Sequence, residues 1–205
     1  CPSLRELLLS LRQLQGHPIS SRVGHHLSPF SPQTEKAVVL PTTMKACLVT
    51  AHEVLEMRSD VPLPKIQPDH ILVRSTACAL APGDVRMLSG KTTLMQKPPI
   101  GFPYIPGSDT AGVVQEVSET EDYFAVGDKV VCRFDEPIPI GGLAQYRVIS
   151  TKLCEKYTKI SDTDACGLSA SAAAARNICH QYIQKDPKVL VIGGSGSVGS
   201  SVLQY

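Results

Sequence analysis

Lys188 to Tyr205 reads KVLVIGGSGSVGSSVLQY, and this stretch decides the fold. Val189-Leu190-Val191-Ile192 is a short unbroken aliphatic run, the composition of a strand buried on both faces. Gly193 and Gly194 end that run, and Gly194, Gly196 and Gly199 then fall in the spacing G-x-G-x-x-G. Val198, Val202 and Leu203 continue at helical spacing. A glycine pattern alone is weak, but between a buried strand and a helix it is the context that a dinucleotide-binding turn requires. Gly194 would allow the tight turn, Gly196 would let the backbone approach a pyrophosphate, and Gly199 would let the helix lie close on the strand. The helix N-terminus, with Ser195, Ser197 and Val198 around it, would offer free N–H groups to the phosphates. The alternative is a glycine-rich connection that holds no ligand.

One strand and about ten helical residues, roughly 15 Å of helix, do not complete a parallel sheet, which needs both faces covered. The acidic residue that would read a ribose hydroxyl is expected about 20 residues further on, past Tyr205. The expectation is therefore a portion of a longer protein, or a chain whose missing half a partner supplies. Cys1 in place of an initiator Met points the same way at the other end.

A chain of 205 residues has room for one domain and part of another. A net charge of +1 offers no basic face for nucleic acid. No apolar run approaches the roughly 20 residues of a membrane span. The seven cysteines (Cys1, Cys47, Cys78, Cys132, Cys154, Cys166 and Cys179) contain no C-x-x-C pair and no short-spaced cluster of the kind that holds a structural zinc. Scattered through apolar strands, they read as reduced, buried thiols.

Residues 1–43 stand apart. Leu4, Leu7, Leu8, Leu11 and Leu14 repeat at helical spacing with Arg5 and Arg12 on another face, followed by a Ser- and Pro-rich run. An amphipathic, Arg- and Ser-rich, acid-poor start is the composition of a targeting presequence, to the mitochondrion with the plastid as runner-up. The alternative is a tail helix that docks on the domain or on a partner. His17, His25 and His26 read as solvated linker residues.

Beyond it the pattern turns to short strands: Met44–Thr50, His70–Leu80, Thr110–Val117, Lys129–Phe134 and Leu143–Ile149. Pro62, Pro64 and Pro68 restrict the interval between the first two to loop or edge. Val126-Gly127-Asp128-Lys129 has turn chemistry. Together, over 44–160, they predict a small irregular β-barrel. Asp162 to Gln184 predicts a helix with Asp162 as N-cap, and its Ala172–Ala175 run permits close approach to a neighbour.

A barrel, a helix and then a glycine-turn strand is the order of the medium-chain dehydrogenase/reductase superfamily, whose catalytic domain has the chaperonin-10 (GroES-like) fold. ACALAPGDVRMLSG (Ala77–Gly90), YIPGSDTAGVVQEV (Tyr104–Val117), FAVGDKVV (Phe124–Val131) and GGLAQYRVIS (Gly141–Ser150) resemble its landmarks. The resemblance implies a GroES-like β-barrel domain followed, over 161–205, by the first β-α unit of an incomplete Rossmann domain. The nearest subgroup is similar to zinc-free quinone oxidoreductases. It implies NADPH as cofactor, with NADH an alternative, and a small-molecule quinone or enone as substrate.

Residue by residue, Ala81 stands where zinc alcohol dehydrogenases carry a Cys, Ser108-Asp109 where they carry His-Glu, and Ala170 near a third ligand. Alanine cannot bind a metal, and Ser with Asp is a poor zinc set; no zinc is expected. The quinone reductase pattern is also broken: its Asn is again Ala81, its Tyr is Arg86, and its nicotinamide-contacting Thr is Ala174. Asp84 would cap the turn that follows it, and Asp109 would brace its loop. Tyr104 and Tyr146 read as barrel residues, and the sequence names no catalytic residue. Two readings stay open: a zinc-independent reductase, as a homodimer, or a degenerate reductase-like subunit of a larger mitochondrial assembly.

Overall fold

The structure, a computed structural model, describes residues 39–91, 101–133, 140–183 and 188–205. The leucine repeat and histidines of the N-terminal segment lie outside them, as do Phe134 and Gln184. The boundary expected at residue 43 falls inside β1 (Thr43–Ala51), which pairs with β2 (Val54–Pro62) in an antiparallel hairpin. β1 buries Met44, Ala46 and Val49, alternating only over its first residues. Almost all of β2 is exposed, so the run VLEMRSDV lacks the alternation by which a strand is read. Pro62 closes β2, where a missing N–H is tolerated at an edge.

Five further strands form one antiparallel sheet in the order β6-β3-β4-β5-β7. They are β3 (His70–Ala79), β4 (Asp109–Val117), β5 (Lys129–Cys132), β6 (Tyr146–Ser150) and β7 (Cys154–Lys156). Isolated bridges (Ala46 to Ala144, Val49 to Tyr104) and the bonds Cys47 N–H to Leu143 O (2.8 Å) and Gln145 N–H to Lys45 O (2.9 Å) join the hairpin to the sheet. The GroES-like fold is thus present as a sheet with a bridged hairpin; among the described residues the ladders do not close into a continuous barrel. The sequence gives no sign of β7 because three residues at a sheet edge are too few for a pattern.

Two bulges let the β3–β4 pair serve two interiors. Gln115 is the extra residue in β4, and Thr76 the extra residue in β3. Each insertion moves the following side chains to the other face. Ile71 and Val73 therefore pack with Val114, Val130, Cys132 and Ile149. Ala77 and Ala79, of the same parity, instead pack with Ala111, Val131 and the helix residues Ala165 and Cys166.

That helix, α2, spans Asp162–Tyr182; the short helix α1 (Pro82–Leu88) precedes it between β3 and β4. The N-cap of α2 is Ser161 rather than Asp162: its Oγ accepts from the Asp164 N–H at 3.0 Å. Asp162 instead accepts from Tyr157 Oη at 2.7 Å and Lys129 Nζ at 2.9 Å, tying the helix start to β5.

Val189–Ile192 is a correction to the sequence reading. The segment has no strand partner among the described residues, and Leu190 and Ile192 are 86% and 91% exposed. A strand exists through its ladder, and here there is no neighbour to make one. The helix after it forms as expected: α3 spans Ser197–Gln204. It lies against α2, with Tyr205 Oη 2.7 Å from His180 Nε2.

Hydrogen bonds from Thr76, Lys129 and Tyr157 hold the Asp162 carboxyl down at about 2. A depressed folded-state pKa contributes stability above the ordinary carboxylate range that disappears as pH falls toward 2. Asp162→Asn is expected to cost ~1–2 kcal/mol near neutrality, after allowance for solvent screening. Denaturant unfolding of both proteins at stepped pH should show the difference narrowing below pH ~4.

Candidate functional site

Two regions carry the sequence-expected residues. The first is the glycine corner. Gly193, not Gly194, takes the left-handed conformation, with φ of 82°, so the tight turn sits one residue earlier than the spacing suggests. The Gly196 N–H donates to Gly193 O at 3.0 Å, and Gly196 is the N-cap of α3. A Cβ added to Gly199 would collide with the Gly193 carbonyl oxygen, so the third glycine is required for helix and turn to approach. At Gly196 an added Cβ would meet nothing closer than that same oxygen at 3.4 Å. Ser195, Gly196, Ser197 and Val198 are exposed, and among the described residues no side chain caps the helix. Its first N–H groups are therefore open to an anion. The corner fits a diphosphate on both counts: backbone donors without a capping side chain, and a glycine face with room in front of it.

The second region lies where β3 runs into α1 and meets the loop before β4. Ala81 is the N-cap of α1. Asp84, 4% exposed, accepts from Ala81 N–H through Oδ2 (2.8 Å) and from Ser108 N–H (3.2 Å) and Ser108 Oγ (2.8 Å) through Oδ1. One carboxylate thus holds Ala81 and Ser108, two of the residues that the family resemblance matches to zinc-ligand positions. Asp109, equally buried, accepts from Ser169 Oγ of α2 at 2.6 Å. Burial raises its pKa, while the Ser169 bond and Arg133 oppose the rise. It braces sheet against helix rather than its own loop alone. Arg86 is exposed and Ala174 half-buried.

Sequence reasoning missed Arg147, which is fully buried and donates through Nη1 to Ser108 O (3.0 Å) and Thr110 Oγ1 (2.9 Å). The signal was available: Arg147 shares the inward parity of Ile149 along β6. The reading of Tyr104 as a barrel residue agrees with its burial, but its hydroxyl has no hydrogen-bond partner among the described residues. Burial raises its pKa, with the Asp84 charge adding to the rise. Tyr146 packs with the β1 cluster.

The Alcohol dehydrogenase GroES-like domain family matches residues 67–161. The 2-methylene-furan-3-one reductase of Solanum lycopersicum is 31% identical over 193 residues, 89% of this chain and 49% of that protein. The chloroplastic NADPH-dependent alkenal/one oxidoreductase of Arabidopsis thaliana is 31% identical over 80% of this chain and 45% of that protein. The quinone oxidoreductase of Homo sapiens is 32% identical over 74% and 45%. A quinone oxidoreductase structure from Coxiella burnetii superposes with a TM-score of 0.69 at 24% identity, covering 77% of this chain and 51% of that one. The chain belongs to the medium-chain dehydrogenase/reductase superfamily. It spans about half the length of the superfamily relatives it matches. This superfamily portion contains the GroES-like domain and the glycine corner.

Asp84 is the test of the bracing geometry. Asp84→Ala would leave the Ala81 and Ser108 donors without their acceptor, at an expected cost of ~2–3 kcal/mol; Ser108→Ala, which removes one hydroxyl, should cost ~1 kcal/mol. Equilibrium denaturation of the two variants beside the parent measures both.

Proposed function

We propose that the protein is an NAD(P)H-dependent oxidoreductase that reduces a quinone or an α,β-unsaturated carbonyl without a zinc ion. The observation that carries this is the glycine corner: an uncapped helix start, open in front of Gly196 and tightly packed at Gly199, on a chain with a GroES-like domain. Gly194 and Ser195 would complete the turn, while Gly196, Ser197, Val198 and Gly199 would hold the pyrophosphate through backbone N–H groups. Bound NADPH would supply the hydride. The chain's own part is to bind and orient. NADPH is favoured over NADH by the printed name of the Arabidopsis relative, and the substrate class by the names of all three relatives.

The zinc-independent reading rests on donor chemistry. Ala81 and Ala170 have no ligating atom, and Ser108 and Asp109 are committed to Asp84 and Ser169. Arg86 and Ala174, which replace polar groups of the quinone reductase pattern, leave substrate orientation to backbone and to shape. The similarity to reductases lends no support to a purely structural subunit. We place the protein in the mitochondrion from its Arg-, Ser- and Leu-rich start; the chloroplastic relative supports the plastid alternative. Assembly as a homodimer belongs to the same proposal.

Full-length protein, dialysed against a chelator, is expected to oxidise NADPH in the presence of a p-quinone or a linear enone, and Gly199→Val to lose binding of NADPH at least tenfold. Loss of NADPH absorbance and titration calorimetry read the two effects. Turnover that returns only with added zinc, or absence of binding heat with either nicotinamide cofactor, would contradict the proposal.

A further inference from the structure

Neither the glycine corner nor the Asp84 brace uses the two cysteines that face each other across β5 and β7. Cys132 and Cys154 are directly paired in the antiparallel ladder, 0% and 5% exposed, with their sulfurs 3.5 Å apart. Directly opposed residues of an antiparallel pair have Cα atoms ~4.5 or ~5.5 Å apart. A disulfide spans Cα separations of about 4.4–6.8 Å. Side-chain rotation alone can therefore bring the sulfurs from contact to a bond of ~2.05 Å. The sequence hides this pair, because 3.3 Å of rise per residue and a return strand, not a C-x-x-C spacing, bring the two together.

We propose that Cys132 and Cys154 are a modification site: a dithiol that a hydroperoxide converts to an intramolecular disulfide. The polarity of the pair assigns the roles. The Cys154 S–H donates to the Cys132 sulfur, which lowers the Cys132 pKa; burial, with that same contact, raises Cys154 well above its ordinary range. The buried Arg147 guanidinium favours a thiolate at either sulfur and so supports ionisation of the pair, while burial opposes it. Cys132 is thus the sulfur that ionises and attacks. Its thiolate attacks one peroxide oxygen, the O–O bond breaks, and the departing oxygen takes the thiol proton and leaves as alcohol or water. Cys132 is then a sulfenic acid. The Cys154 sulfur attacks it, the S–S bond forms, and the S–O bond breaks to release water with the Cys154 proton. Two thiols give two electrons to one peroxide.

Access comes from the position of the pair. β7 is three residues long, lies at the sheet edge on a single ladder, and follows the one-turn 3₁₀ helix Thr151–Leu153. Such an end opens at lower free energy than the sheet interior. Once formed, the bond would fix the edge strand that leads through Tyr157 into α2.

The test uses the full-length protein, reduced, desalted and exposed to hydrogen peroxide while circular dichroism confirms the fold. Trypsin releases Val130–Arg133 and Leu153–Lys156, each with a single cysteine. The expected product is these two peptides linked, two hydrogens lighter than their sum and separated by dithiothreitol, with a higher Tm for the oxidised protein. In Cys154→Ser, dimedone should instead label Cys132. Unlinked Cys132 and Cys154 at peroxide doses that oxidise the other thiols would overturn the proposal. So would linkage of Cys132 to a different cysteine, or a link that forms only after the fold is lost. Should Cys154→Ser not fold, the peptide map of the parent protein decides alone.

Discussion

The structure depends on one strand pair packing on two sides at once. β3 and β4 meet the sheet's own apolar cluster on one face and α2 on the other, and a regular ladder could not give each face its own apolar set from this sequence. The bulges at Gln115 and Thr76 make the change of face. Gln115 donates its side-chain amide to Val113 O and Val114 O beside the irregularity, and the Thr76 hydroxyl reaches Ala111 O. α2 can then lie on small side chains, Ala77, Ala79 and Ala111, and continue toward α3. Without that seam the glycine corner would have no fixed relation to the GroES-like domain.

Three buried charged residues beside the seam, Asp84, Asp109 and Arg147, are engaged. Asp109 bonds Ser169 across it, Asp84 holds Ala81 and Ser108, and Arg147 donates to the Ser108 carbonyl. Buried charges of this kind stabilise only when each finds partners, because an uncompensated one would cost several kcal/mol. Asp84 and Asp109 therefore serve here as structural acceptors.

Much of this was legible in the sequence, for physical reasons. β1, β3 and β4 could be read because their alternating or continuous apolar runs follow from burial, and α2 because its small-residue stretch and acidic first turn suit a packed helix. β2 escaped because an exposed edge carries no alternation, and β7 because three residues carry no period. The N-cap was misplaced by one, since Ser161 and Asp162 are both capable acceptors and the choice is made by Lys129 and Tyr157, distant in sequence. Val189–Ile192 has the composition of a strand, but composition cannot supply the neighbour that a ladder needs. Within the glycine corner the helix starts where the spacing suggested, while the positive φ falls on Gly193 because the turn closes on its carbonyl. The Cys132–Cys154 pair is a product of register, which a linear pattern does not contain, whereas Arg147 was within reach through its parity with Ile149.

The central claim is that the Gly194–Gly199 backbone faces a diphosphate. Amide chemical shifts of the ¹⁵N-labelled full-length protein, followed as NADPH is added, test it most directly. The account requires the largest changes at the N–H groups of Gly196, Ser197, Val198 and Gly199, fading along α3. Changes that gather elsewhere while those four amides stay unmoved would contradict it.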